Sequence, residues 1–217
     1  MRIGFLHTAP PLAATFEELL SRERPQAQAL HVVDSWLLAT AIADGVTEAV
    51  HDRAHQHMDY LAGQGASAVL VTCSSIGETI EAHGADVPVL RVDAAMAAAA
   101  VEIARAPGAG GRIAVLATVQ STLGPTRRLL QRSAGTELAI EAVVVPGAAH
   151  ARAAGDQDGH DQAIRVSAAA ADADVIVLAQ ASMAGAVAGA DLTVPVLTSP
   201  ELGLRALFTA IDSAEDL

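Results

Sequence analysis

A single cysteine, Cys73, follows the apolar run Ala68–Val71 and Thr72, and it opens a turn of small polar residues, Ser74, Ser75 and Gly77. A thiol at a strand end lies beside hydroxyls and free backbone N–H groups. Ahead of a helix N-terminus its pKa is expected to fall toward the range useful for acid/base work. The pattern recurs later in the chain, with Val69-Leu70-Val71-Thr72-Cys73 lying over Val177-Leu178-Ala179-Gln180-Ala181. In that match Ala181 stands where the cysteine would be. A two-sided site with a reactive group on one side only is the expectation.

Removing a proton beside a carboxylate builds charge on an already anionic group, so such a site needs fixed hydrogen-bond donors. Hydroxyls and backbone N–H groups at helix starts supply them without a metal. Thr8, Thr72, Ser74, Ser75, Thr118, Gln180, Ala181 and Ser182 fall at the two corresponding sets of turns and are the candidate substrate-binding residues. Singly, each hydroxyl also reads as an ordinary N-cap. His7, after the first strand, and His150 are the candidates for a second acid/base, although a backbone-satisfied loop histidine is the plainer reading of His7. His150 and His160 flank the small-residue stretch Gly147–Gly159, which is expected to be a mobile loop and could serve as a lid. His51 and His55, four apart on a predicted helix, could edge a metal site. No HExxH pattern or acidic third ligand accompanies them, so a solvated helix face with His57 is expected and no metal site is assigned. A covalent role for Cys73 in a hydrolase ranks last, because no His/Asp pairing adjoins it in sequence.

Composition narrows the classes. All 13 basic residues are arginine, and the absence of lysine excludes a lysine Schiff base and the usual phosphate-loop lysine. A net charge of −12 argues against nucleic acid and anionic membranes as partners. One cysteine cannot form an internal disulfide, which fits a reducing cytoplasm. The opening Met1–Phe5 reads as a first strand rather than a signal peptide, and no uncharged apolar run approaches the ~20 residues that span a bilayer. An acidic, Ala-rich chain of this size is compatible with a homodimer.

Short β-branched runs alternate with longer Ala-rich segments, the pattern of a parallel α/β protein buried on both faces. Strands are predicted over Arg2–Leu6, Ala29–Val33, Ala68–Val71, Val87–Val92, Arg112–Ala117, Leu138–Val144, Val175–Leu178 and Val194–Leu197. Helices are predicted over Phe16–Glu23, Val46–Gln64, Ala94–Arg105, Ser121–Ser133, Asp161–Ala171 and Glu201–Ile211. Gly108-Ala109-Gly110-Gly111 precedes a strand, the wrong context for a dinucleotide fingerprint, and reads as a turn. It lies in the Pro/Gly-rich segment Ala106–Gly111, a candidate lobe boundary. Val87-Pro88-Val89-Leu90 recurs as Val194-Pro195-Val196-Leu197, and Arg2–Thr8 resembles Arg112–Thr118. Three matched elements in one order predict two pseudo-symmetric lobes, 1–93 with 199–217 and 94–198. Each is a short parallel sheet flanked by helices, with the active site in the inter-lobe cleft at the strand carboxyl ends.

These residues resemble the aspartate/glutamate/hydantoin racemase superfamily over nearly the whole chain. The resemblance rests on Ile3-Gly4-Phe5-Leu6-His7-Thr8, His31-Val32-Val33-Asp34-Ser35, Thr72-Cys73-Ser74-Ser75, Leu116-Ala117-Thr118 and Leu178-Ala179-Gln180-Ala181-Ser182-Met183. It implies an enzyme without a cofactor, in which one cysteine per lobe flanks the α-carbon of a small carboxylate. One thiolate takes the proton and the opposite thiol returns one. Cys73 matches the first-lobe cysteine, and Ala181 departs from the second. The departure leaves three readings open. Another group replaces the second thiol; the chain is a one-cysteine decarboxylase of a substituted malonate, related to arylmalonate decarboxylases; or it is a silent binder of small acids.

Overall fold

The computed structural model describes residues 1–135 and 137–215. Two four-stranded, all-parallel sheets make up the chain. The first contains β1 (Arg2–His7), β2 (Gln28–Val33), β3 (Ala68–Val71) and β4 (Val89–Arg91) in the order β2-β1-β3-β4. The second contains β5 (Arg112–Ala117), β6 (Ala139–Val144), β7 (Val175–Leu178) and β8 (Val196–Thr198) in the order β6-β5-β7-β8. β3 and β7 are buried throughout, which is why their sequences are unbroken aliphatic runs. β6 sits at an edge and alternates exposed with half-buried residues. The chain divides into two compact units, 1–93 with 200–217, and 94–199. Ala106–Gly111, read as a lobe boundary from its glycines, lies inside the second unit and makes the turn into β5.

In the first unit, α1 (Pro11–Glu23) starts on a proline, which needs no N–H partner there. α2 (Ser35–Ala43) is capped by the Asp34 carboxylate, which accepts from the Trp36 N–H at 3.1 Å. α3 (Glu48–Gly63) turns Val50, Ala54, Met58 and Leu61 inward at helical spacing. Together with Leu6, Leu37, Val69, Val71 and Ile76 they form one core cluster, against which Cys73 packs. In the second unit, α4 (Ala94–Ala104), α5 (Gln120–Ala134), α6 (Ala148–Ala153) and α7 (Gln157–Ala169) flank the sheet. Its matching cluster includes Leu116, Ile164, Ile176, Leu178 and Met183. α8 (Ser199–Glu215) follows β8. No helix among the described residues is long and apolar enough to cross a membrane.

Two expectations need correction. The stretch 147–159 is not a loop: it forms α6 and the start of α7, with Asp156 capping α7 through the Gly159 N–H at 2.8 Å. Alanines at 148, 149, 151 and 153 favour helix, and only Gly147 (φ +76°) and Gly155 (φ +76°) interrupt it. α2 was missing from the expected helices because its nine residues are apolar almost all round and show no clear period.

Strand pairing fixes the register between the two units. Ile3 pairs with Ala68 and Leu6 with Val71; Ile113 pairs with Val175 and Leu116 with Leu178. Past each strand end, the Thr72 N–H donates to the Leu6 carbonyl and the Ala179 N–H to the Leu116 carbonyl. At the far edge, the Val69 N–H donates to the Pro88 carbonyl and the Ile176 N–H to the Pro195 carbonyl. Thr8 therefore corresponds to Thr118, Thr72 to Ala179, Cys73 to Gln180 and Ser74 to Ala181. The sequence match that set Ala181 against Cys73 slips by one residue. Val-Leu-Val and Val-Leu-Ala carry no period and slide past each other, whereas the hydrogen-bond ladder does not.

Candidate active site

Cys73 is the last extended residue after β3 (φ −119°, ψ 113°), and a 3₁₀ helix, Ser74–Ala82, begins immediately after it. Cys73 occupies the N-cap position of this turn. Burial pushes its thiol above the usual cysteine value, against the pull of the Thr8 hydroxyl, the Ser75 and Ile76 N–H groups and the Ser75 hydroxyl. The lowered pKa expected for a thiol before a helix is thus reversed, because desolvation outweighs four donors. Thr8, Thr72, Ser74 and Ser75 are all buried around this turn. The Ser74 hydroxyl is buried and has no protein partner, so it can donate to a bound group without breaking an existing bond.

The 3₁₀ turn rests on a buried ion pair. Arg91, closing β4, binds Asp93 through two bonds, Nε to Oδ1 at 2.7 Å and Nη2 to Oδ2 at 2.9 Å. A Cβ on Gly77 would lie 2.8 Å from the Arg91 guanidinium carbon, so only glycine lets the turn close over it.

His7 is fully buried, and both of its ring nitrogens are engaged. Nδ1 lies 2.8 Å from Thr72 Oγ1 and Nε2 lies 2.9 Å from His31 Nδ1. Burial, and secondarily the nearby His31, lower its pKa to about 3, so it is neutral at ordinary pH. No ring nitrogen is left to serve as a second acid/base, and the loop placement expected for His7 is replaced by the end of β1 itself. His31 and its partner Glu17, at 2.9 Å, were not singled out as site residues. Phe5 pairs with His31 and His7 with Val33, so both histidines point to one face of the sheet, a juxtaposition that the unpaired strands do not show. At the end of β2, Asp34 accepts from Arg53 and His57 as well as from the Trp36 N–H. Burial would raise its pKa, but these donors outweigh it and hold it below the usual carboxylate value.

In the second unit, Gln180 caps the 3₁₀ helix Ala181–Val187 with the backbone that Cys73 has (φ −127°, ψ 133°). Its Oε1 accepts from the Thr118 N–H at 2.6 Å and from the Thr118 hydroxyl at 2.9 Å. Two donors on one oxygen fix the carboxamide, leaving the NH₂ as a donor. Ala181 is buried and Ser182 half-buried in the turn that follows.

The remaining candidates lie elsewhere. His150 is exposed on α6. His160 is buried on α7 with Nδ1 on Asp161 at 2.8 Å and Nε2 unpartnered. His51, His55 and His57 do not form a solvated face: all three are half-buried, with His55 Nε2 2.7 Å from the Thr79 carbonyl oxygen and His57 on Asp34. Among the described residues, no group of three or more His, Cys, Asp or Glu could hold a metal ion.

Similar folds occur among solved structures. A glutamate racemase from Bacillus anthracis matches with a TM-score of 0.73 at 18% identity, covering 98% of this chain and 82% of that one. An aspartate racemase from Picrophilus torridus gives 0.72 at 13% identity, covering 97% and 94%. An allantoin racemase from Klebsiella pneumoniae gives 0.66 at 15% identity, covering 99% and 89%. At these identities the likeness establishes the fold. No curated protein matches the sequence. The Asp/Glu/hydantoin racemase family model matches residues 11–207, a span that takes in Cys73, Gln180 and seven of the eight strands. The chain belongs to the Asp/Glu/hydantoin racemase family, a family of racemase-type enzymes.

Proposed function

We propose that this chain catalyses proton transfer, without a cofactor, at the carbon alpha to the carboxylate of a small acid or amino acid, with Cys73 as the acid/base. The observation that carries this reading is the surroundings of the Cys73 sulfur. A thiol at a strand's carboxyl end, faced by the Thr8 hydroxyl and the Ser75 and Ile76 N–H groups, can give up and regain a proton. Ser74, with a buried and unpartnered hydroxyl, is suited to hold a carboxylate as charge builds on it. Thr72 and Ser75, buried at the same turn, complete the proposed binding set of this unit.

A second reading is favoured by two observations together. Burial keeps the Cys73 thiol protonated near neutral pH, and the equivalent residue of the other unit, Gln180, exchanges no proton. Both fit one-sided chemistry on a substituted malonate. The bond from the α-carbon to one carboxyl breaks, carbon dioxide leaves, and the electron pair left on the α-carbon takes the Cys73 proton; water then reprotonates the thiolate.

Incubation of 2-substituted malonates, amino acids and hydroxy acids in heavy water, followed by NMR, tests both readings. Label gain at the α-carbon with inversion supports racemisation. Carbon dioxide release with label on one face supports decarboxylation. Thermal stabilisation by an acid with no label gain from any would leave a binding protein and reject the enzyme.

A further inference from the structure

A continuous hydrogen-bonded chain runs from the surface to the residue before Cys73. Glu17 Oε2 on α1, which is exposed, lies 2.9 Å from His31 Nε2. His31 Nδ1 lies 2.9 Å from His7 Nε2, and His7 Nδ1 lies 2.8 Å from Thr72 Oγ1. Thr72 Oγ1 lies 3.1 Å from the Leu6 carbonyl oxygen, which already accepts the Thr72 N–H at 3.0 Å.

Counting donors leaves this chain two arrangements. In one, every hydrogen points outward: the Thr72 hydroxyl donates to His7 Nδ1, His7 Nε2–H to His31 Nδ1, and His31 Nε2–H to Glu17. In the other, one more proton has entered, and His31 is an imidazolium donating to both Glu17 and His7 Nε2. His7 then carries its hydrogen on Nδ1 and donates to Thr72 Oγ1, and the Thr72 hydroxyl turns away from His7 to the Leu6 carbonyl. His7 is neutral in both arrangements, as its burial requires. Only the proton-loaded arrangement frees the Thr72 hydrogen, because the Leu6 carbonyl keeps its backbone bond when the hydroxyl leaves it.

The fold does not need this chain. The register places Ala117, Ala142 and Ala179 of the second unit where His7, His31 and Thr72 stand in the first. An equivalent sheet is built there with alanine at all three positions.

We infer that Glu17, His31 and His7 are positioning residues forming a one-proton switch, which makes the Thr72 hydroxyl available to a substrate carboxylate beside Cys73 only when His31 is protonated. The inference rests on the proposal that the Cys73 turn binds a carboxylate. The titratable groups facing His31 are Glu17 from α1 and His7 from β1; α3 lies across the sheet, against Leu30 and Val32.

Proton-coupled nitrogen NMR of the full chain labelled at histidine tests it without a substrate. As pH falls, His7 is expected to stay neutral while its hydrogen moves from Nε2 to Nδ1, with the same midpoint as protonation of His31. Glu17→Gln removes the carboxylate at the surface end of the chain, so both midpoints are expected to move together. A His7 tautomer that stays fixed while His31 titrates, a His7 that itself becomes cationic in that range, or midpoints that separate in Glu17→Gln would each overturn the switch. The heavy-water assay fails or succeeds independently, so loss of the proposed reaction and loss of the switch are distinguishable.

Discussion

Thr8 and Thr118 stand at the same place in their units, one facing a thiol and the other bonded to a carboxamide. The backbone around them is shared: a four-residue buried strand, an extended N-cap and a 3₁₀ helix. The side chains are not. In the register Cys73 corresponds to Gln180, Ser74 to Ala181, and Thr72, His7 and His31 to Ala179, Ala117 and Ala142. Even the supports differ in a compensating way. Gly77 beneath Arg91 in the first unit becomes Ala184 with Thr198 in the second, so a smaller strand-end residue goes with a larger turn residue. A repeated scaffold has thus been given a titratable side in the first unit and, at the corresponding turn of the second, a carboxamide that neither gains nor loses a proton.

The largest break in this comparison is removal of the thiol. Cys73→Ala is expected to lower turnover by ~10²–10⁴-fold, the usual contribution of a positioned acid/base. Far-UV circular dichroism and the melting temperature should be unchanged, since the side chain packs only at the margin of its cluster. Normal turnover in that variant would remove Cys73 from the chemistry.

The titratable side should also leave a mark on stability. The folded-state pKa of His7 lies near 3 and the unfolded value is 6.5, so between them the unfolded chain binds the extra proton. Stability is therefore whole above about pH 6.5 and falls as pH drops, by about 2 kcal/mol at about pH 5. Urea denaturation across that range measures the slope. His7→Gln should flatten it, and an unchanged slope would mean that His7 is charged in the fold. Smaller still, Gly77→Ala is expected to cost about 1–3 kcal/mol by pressing on the buried Arg91–Asp93 pair, with Ala184→Gly within about 1 kcal/mol. Equal effects from the two changes would show that the arginine does not constrain the turn.

Most of the architecture was legible from β-branched runs alternating with Ala-rich segments, because a parallel sheet buried on both faces leaves that record. The register between units was not. The four-residue strands at 68–71 and 175–178 contain nothing to mark position, and only pairing with β1 and β5 shows that Gln180, not Ala181, answers Cys73. Thr72, Ser74 and Ser75 were readable as polar residues after a buried run. The direction of the Cys73 pKa was not, because it depends on how much of the sulfur is desolvated. His31 and Glu17 escaped notice since their alignment with His7 exists only once β1 and β2 pair and α1 lies over them.

The central claim is that one sulfur delivers a proton to one face of the α-carbon. Decarboxylation of a prochiral 2-aryl- or 2-alkyl-2-methylmalonate in heavy water, with chiral separation of the product, tests it most directly. The account predicts a single deuterated enantiomer from the native chain and none above background from Cys73→Ala. A racemic product, or the same enantiomer at the same rate without the thiol, would contradict it.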